Sequence, residues 1–169
     1  MNLRPAVDSD RPAIARVHAA SWLDSYRAYL SADYLETIHD RLGAHWDGLV
    51  LGEHGLLLLA EEQGETLGFI LAWDGEPFWI NTLHVLPARR SGSIGAQLMA
   101  EAARRMQAQG RTSAWLDVID TNHRAIAFYR RLGGVPGTVK EKLVGDRMVP
   151  NLRIDFPDLA PIIAAGGGR

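Results

Sequence analysis

The stretch Arg90-Ser91-Gly92-Ser93-Ile94-Gly95-Ala96 lies just behind the strand-like run Trp79 to Leu86 and just ahead of an amphipathic segment. A glycine-bearing turn that opens a helix aims several unpaired backbone N–H groups, and the positive end of the helix dipole, at one point in space. Such a turn is a cradle for an anion of the pyrophosphate kind. Taken alone, a strand, a glycine turn and a helix also make an ordinary connection, and at this point both readings stand. A P-loop is excluded because no Gly-Lys-Ser/Thr follows, and a dinucleotide fingerprint because its three-glycine spacing is absent.

Downstream of the turn, Ile94, Leu98, Ala102 and Met106 fall at four-residue steps, which predicts a helix ending at Gly110. Ala114 to Ile119 reads as a strand, Asn122 to Leu132 as a helix stopped by Gly133-Gly134, and Thr138–Val144 with Arg147–Ile154 as a closing hairpin around Gly145-Asp146. Pro150 weakens that last strand, or marks an edge or a bulge in it. Upstream, Leu56–Glu61, Thr66–Trp73 and Phe78 to Leu86 form a meander joined by Glu62-Gln63-Gly64-Glu65 and Asp74-Gly75-Glu76-Pro77. That antiparallel succession is foreign to an all-parallel nucleotide-binding sheet. Leu3 to Val7 predicts a first strand. Asp8, Asp10 and Pro12 then start a helix carrying Ile14, Val17, His18, Ser21, Trp22, Ser25 and Tyr26, and Ser31-Ala32-Asp33 starts a second, short one.

The 169 residues suit one domain with a full core. Eighteen basic against twenty acidic side chains leave a formal charge of −2, so no global field draws the chain to nucleic acid or an anionic membrane, and any anion site is local. The absence of cysteine excludes disulfides, a thiolate nucleophile and zinc-thiolate or iron–sulfur chemistry. The six histidines show no metal spacing, and no metal is expected. The N-terminus has no apolar signal core and no run approaches membrane-spanning length, so the expected location is cytoplasmic. From Pro157 the chain becomes small and glycine-rich, which predicts a loose tail over 157–169.

In Asn122-His123-Arg124-Ala125-Ile126-Ala127-Phe128-Tyr129-Arg130-Arg131-Leu132-Gly133, the residues Asn122, Ile126 and Tyr129 are spaced by four and three, which sets an amide and a phenol on one helix face. The alternative is that Phe128 and Tyr129 are core aromatics. The order of elements, with Leu83-His84-Val85-Leu86-Pro87, the Arg90 to Gly95 loop and this helix, resembles the GNAT superfamily of acyl-CoA N-acetyltransferases. The likeness is strongest from about Leu83 to Gly133. In the cofactor loop Arg90 and Gly95 match the family pattern, whereas Ser93 replaces its first glycine and, in a left-handed conformation, would weaken cofactor binding.

The resemblance implies an α/β fold over residues 1–156, a mixed, mostly antiparallel sheet flanked by helices with its central strands splayed. It implies acetyl-CoA as cosubstrate, in the cleft between those strands, and acetyl transfer by direct attack of a primary amine in a ternary complex. It assigns Ser91, Gly92, Ser93, Ile94, Gly95 and Ala96 to the pyrophosphate, with Arg90 also among the cofactor-binding residues, and it implies a bulge at Leu83, His84 and Val85 where the two strands splay and whose freed backbone groups bind the pantetheine arm and the thioester carbonyl. Asn122 would bond the cofactor, and Tyr129 would protonate the departing thiolate. Asp117 occupies a position where some relatives place a base; water-mediated deprotonation competes with it, and a solvated or capping carboxylate is the other reading. His84 is a base by type or a structural histidine of a half-buried strand. Trp22 and Tyr26, four apart, wall the acceptor pocket or cover the core. The acceptor is a small-molecule amine or a peptide or protein amine, and a homodimer is compatible with the resemblance. The competing reading is a non-catalytic acyl-CoA sensor or interaction domain.

Overall fold

The computed structural model describes residues 1–90 and 93–167. Seven strands form a single sheet: β1 (Asn2–Pro5), β2 (Gly55–Glu62), β3 (Glu65–Trp73), β4 (Phe78–Val85), β5 (Ala114–Ile119), β6 (Val135–Val144) and β7 (Arg147–Phe156), in the order β1-β2-β3-β4-β5-β7-β6. Every neighbouring pair is antiparallel except β4 and β5. The helices are α1 (Arg11–Ser25), α2 (Ala32–Glu36), α3 (Ile38–Gly48), α4 (Ile94–Ala108), α5 (His123–Arg131) and α6 (Ala160–Ala165).

The sheet separates two cores. On one face α4, α5 and α6 cover Leu58, Ile70, Phe78, Leu116 and Ile154; on the other, α1 and α3 cover Leu57, Leu59, Phe69 and Leu71. The four-residue steps of α4 explain its side of this: Leu98, Ala102 and Met106 are buried on a single stripe. Strands β2 and β3 are buried on both faces, so they read as continuous apolar runs and not as alternations.

Strands β4 and β5 are paired only at Phe78 with Ala114 and Trp79 with Trp115. Beyond those rungs β4 stays with β3 as far as Val85, and β5 stays with β7 as far as Ile119, so the sheet splits between them. The bulge lies at Asn81, which has no opposite number between the Ala72–Ile80 and Leu71–Thr82 rungs. It falls two residues before the expected Leu83–Val85 segment. One extra residue inverts the alternation that follows. Phe78 and Ile80 point to the α4 face, and after the bulge Leu83 and Val85 do so, which turns His84 toward α1.

Two expectations are corrected. The expected loose tail contains α6, with Leu159 and Ile162 fully buried against α4 and α5, because the run Leu159-Ala160-Pro161-Ile162-Ile163 supplies apolar groups that the open flank of the core takes up. Pro150 lies in an internal strand, at neither an edge nor a bulge. It sits one residue past the last β5–β7 rung, Ile119 with Asn151, where β7 has outrun β5; the β6–β7 irregularity falls at Pro136–Val139.

Candidate functional site

The split opens into a cavity of about 1240 Å³. That exceeds the roughly 300–1,000 Å³ of an ordinary small-molecule pocket and leaves room for two reactants side by side. Leu83, His84, Val85, Arg90, Gly95, Ala96, Asn122, Tyr129, Asp117, Trp22 and Tyr26 all line it, so residues from five separate elements meet in one space. Ser91 and Gly92 lie outside the described residues.

One end is built by α4 and α5. The N–H groups at the start of α4 open onto the cavity at Gly95 and Ala96, and a Cβ at Gly95 would just touch Phe128 of α5 at 3.4 Å, which leaves no room for a larger side chain. Ile94 departs from the expected pattern: its side chain belongs to the core, and only its backbone is free to serve a ligand. Ser93 is the N-cap residue of α4 at φ −79°, ψ 9°, with its hydroxyl bonded by Gln97 Nε2. No left-handed conformation is asked of it, so the expected penalty for replacing glycine does not arise. Arg124 and Arg131 of α5 add positive charge to this wall.

Asn122 caps α5: its Oδ1 accepts the N–H of Ala125 at 3.2 Å, which leaves the amide Nδ2 as the donor for a ligand. The helix closes at Gly133, whose φ of +89° is the left-handed value glycine tolerates. Between cap and stop, Tyr129 faces the cavity, its ring edge-on to Phe128 and Phe156. Burial, and secondarily the Tyr26 phenol across the cleft, push the Tyr129 phenol above its ordinary range. It is therefore a neutral O–H donor at any physiological pH.

The opposite end is aromatic. His84, turned to α1 by the bulge, accepts Trp22 Nε1–H at Nε2 (3.3 Å), so its Nδ1 carries the proton and donates to Ser21 Oγ (2.7 Å). Burial first, and Arg90 second, hold its pKa down at about 3, and a neutral ring locked between two partners is structural. Arg90 is committed as well. Its Nη1 bonds Asp24, Nη2 bonds Ser21 Oγ at 3.0 Å, and Nε reaches the Val85 carbonyl at 3.2 Å. The guanidinium thus clamps the start of the loop to α1 and β4. Trp22 stands edge-on to Tyr26 at 5.5 Å and stacks on Tyr34 at 6.1 Å. Beyond them Tyr29 bonds Thr121, and Ser31 bonds Asp146 of the β6–β7 turn, closing this end with a polar strap.

Asp117 projects from the face of β5 opposite α4, beside its cross-strand partner Arg153, and its carboxylate is bonded by Lys142 Nζ. It lines the cavity as an ion-paired group. The sequence reading gave no role to His18, Tyr34, Arg41 or His45, all of which line the aromatic end. The four-residue step from His18 to Trp22 was the available signal, but α3, which carries Arg41 and His45, reaches the site only by packing against α1. Among the described residues no group of three or more His, Cys, Asp or Glu side chains is placed to hold a metal ion, and no helix is long and apolar enough to cross a membrane.

The sheet is mostly antiparallel, its one parallel pair parts after two rungs, and the cleft lies at that parting, flanked by helices of an α/β fold. Residues 16–134 match the family model "Acetyltransferase (GNAT) family", and the chain belongs to that family. It is 26% identical, over 96% of both chains, to the uncharacterized N-acetyltransferase YuaI of Bacillus subtilis (strain 168). Its fold matches the PaiA N-acetyltransferase of Thermoplasma acidophilum, solved with coenzyme A, at a TM-score of 0.72 and 21% identity over 90% of this chain and 96% of that one. It also matches YncA of Salmonella typhimurium, solved with acetyl-CoA, at a TM-score of 0.66 and 19% identity over 94% and 93%.

Proposed function

We propose that the protein transfers the acetyl group of acetyl-CoA to a primary amine by direct attack in a ternary complex. The observation that carries this reading is one cavity bounded by the parted strands β4 and β5, the N-terminus of α4 and a phenol that burial keeps protonated. Two of the similar proteins are described with coenzyme A or acetyl-CoA, which supports the choice of cosubstrate. Acetyl-CoA, when bound, supplies an activated thioester.

The chain does the rest. The N–H groups of residues 91–96 and the cationic side chains of α5 receive the pyrophosphate, while Arg90 holds that loop in place through Asp24 and Ser21. The edge of β4 at Leu83, His84 and Val85, freed by the split, takes the pantetheine arm as an added strand and offers an N–H to the thioester carbonyl. Asn122 Nδ2 bonds the arm. Tyr129 gives its proton to the sulfur as the C–S bond breaks. Trp22 and Tyr26 hold the amine, whose own proton leaves to Asp117 or to water. No cysteine is present to form a covalent acyl-enzyme.

A non-catalytic acyl-CoA sensor is the second reading, and the observation on its side is the Lys142 ammonium that already engages Asp117. The deciding experiment is a calorimetric titration with acetyl-CoA followed by an amine screen with Tyr129→Phe as control. One-site binding and turnover that depends on Tyr129 is the expected result. Binding with no turnover on any amine leaves the sensor, and no binding removes both.

A further inference from the structure

Asn151 of β7 is 6% exposed and lies in the wall of the cavity. Asparagine is an unfavourable choice inside a strand, so its place here calls for a use. Its Nδ2 donates to the Val149 carbonyl at 2.9 Å. A carbonyl only accepts, which fixes the amide nitrogen on that side and turns Oδ1 the other way. Among the described residues the Asn151 side chain makes no second hydrogen bond, and the buried side-chain nitrogen or oxygen that is both sealed off and unpartnered is His18 Nε2. Asn151 Oδ1 is therefore unpartnered but open, and the space beside Asn151 is the cavity. Buried acceptors are nearly always satisfied, and one that opens on a cavity is a place where a ligand supplies the donor.

The surroundings say which donor. Asn151 stands opposite Ile119, two residues along β5 from Asp117, and the intervening rung, Val118 with Leu152, turns to the α4 side. Asn151 and Asp117 thus share the face opposite α4, where Trp22 and Tyr26 border the same cavity. Lys140 stands directly opposite Asn151 on β6, and the Arg41 guanidinium lies 5.0 Å over the Tyr34 ring. Each carboxylate at this end is already engaged: Asp117 by Lys142, Asp155 by Arg153, Asp24 by Arg90 and Asp146 by Ser31. An ammonium ion meets cations here and finds no carboxylate without a partner among the described residues. A neutral amine finds an uncharged acceptor, and when it donates one N–H to Oδ1 its lone pair stays free for the thioester.

We propose that Asn151 binds the acceptor, its Oδ1 accepting an N–H of the amine, and that the site takes a monoamine in its neutral form and rejects polycations. Asn151 is then a specificity-determining residue of the acceptor pocket, and the proposal rests on the acetyl-transfer reading above. The neutral nitrogen attacks the thioester carbon, the C–N bond forms and the C–S bond breaks. The sulfur has then taken the Tyr129 proton, and the nitrogen gives its surplus proton to Asp117 or to water.

The test uses three probes that share a phenethyl body: phenethylamine as the acceptor, 2-phenylethanol as a neutral donor, and phenethyltrimethylammonium as a permanent cation without a donor. The chain has four asparagines, Asn2, Asn81, Asn122 and Asn151, so full-length protein labelled with ¹⁵N-asparagine reports the Asn151 amide separately. The expected result is that 2-phenylethanol shifts the Asn151 signal and the trimethylammonium probe does not. Asn151→Leu, of similar size, should raise KM for phenethylamine by about tenfold while the calorimetric affinity for acetyl-CoA is unchanged. Asn151→Asp, of the same shape but charged, should reverse the order and bind the trimethylammonium probe about tenfold more tightly than the parent does. Melting temperatures check that both variants fold; if neither folds, the titration of the parent decides. An Asn151 signal that ignores 2-phenylethanol, or that moves equally with the cation, overturns the proposal, as does an unchanged KM in folded Asn151→Leu. If phenethylamine is acetylated while Asn151 neither shifts nor matters, acetyl transfer stands and the acceptor assignment falls. If Asn151 responds as expected and no amine is acetylated, the pocket stands and the transfer reading falls.

Discussion

A leaving thiolate needs a proton from a group that has kept its own until that moment, and burial gives the Tyr129 phenol this property. Tyr129→Phe is expected to lower kcat by roughly ten- to ten-thousand-fold, the usual weight of one general acid, with the calorimetric affinity for acetyl-CoA unchanged. The direction of the shift adds a pH signature. A phenol raised above its ordinary value of about 10 stays protonated beyond that pH, so loss of this acid produces no fall in rate on the alkaline side below about pH 10. A limb near pH 9 that disappeared in Tyr129→Phe would contradict the assignment. Asn122 and Tyr129 were legible as a pair because helical spacing alone puts them on one face. Arg90 was legible as a loop residue but not as a clamp, since Asp24, Ser21 and the Val85 carbonyl come from elements that only folding assembles.

At the scale of the element, the proposed anion site lies at the start of α4, and its two small residues do different work. Ser93 has an ordinary right-handed backbone, so Ser93→Gly should leave acetyl-CoA affinity within about twofold and lower stability by only a few tenths of a kcal/mol. Gly95 is a matter of contact. A valine there would drive its branched methyls against Phe128 and Val85, and titration of Gly95→Val should show acetyl-CoA affinity reduced by about tenfold or more, with the melting temperature lowered. An unchanged affinity would move the site off this turn. The strand, turn and helix around Gly95 were readable from local pattern. A bulge in β4 was implied by the resemblance but its place at Asn81 was not readable, because a bulge is a mismatch between two strands and β4 by itself shows only residues compatible with either register. That one residue decides that His84 faces Ser21 and Trp22 and not the α4 core.

Across the whole molecule, two histidines held neutral in the α1–β4 core couple stability to pH. Their folded pKa values lie below the unfolded value of about 6.5, at about 3 for His84 and well down for His18. The unfolded chain therefore binds more protons, so this stability is complete above pH 6.5 and is lost as pH falls toward 3, by up to about 1.4 kcal/mol per pH unit for each ring. Carboxylates held low by arginines, such as Asp10 beside Arg4 and Asp74 beside Arg111, add their losses further down, as pH falls below about 4. Urea midpoints at pH 7, 6 and 5 should fall steadily in the parent and less steeply in His18→Asn. Equal slopes would show that His18 is not held neutral. The C-terminal helix is equally a global matter. Truncation before Leu159 removes two fully buried aliphatic side chains and should lower unfolding free energy by roughly 3–6 kcal/mol. A truncated chain as stable as the parent would mean that α6 only rests on the surface.

The sequence by itself determined what depends on near neighbours along the chain. Period-four apolar residues made α4, the meander and the hairpin announced their turns, and the Arg90 to Ala96 loop with the Asn122 to Gly133 helix carried the family pattern. The tertiary structure alone decided what depends on which surfaces meet. It parted β4 from β5 after two rungs, drew the apparent tail into the core, paired Asp117 with Lys142, and left the buried His18 Nε2 without a hydrogen-bond partner among the described residues. The physical reason is that helical and strand periods are properties of one segment, whereas a split, a buried tail or an unpartnered N–H is a property of contacts between segments distant in sequence.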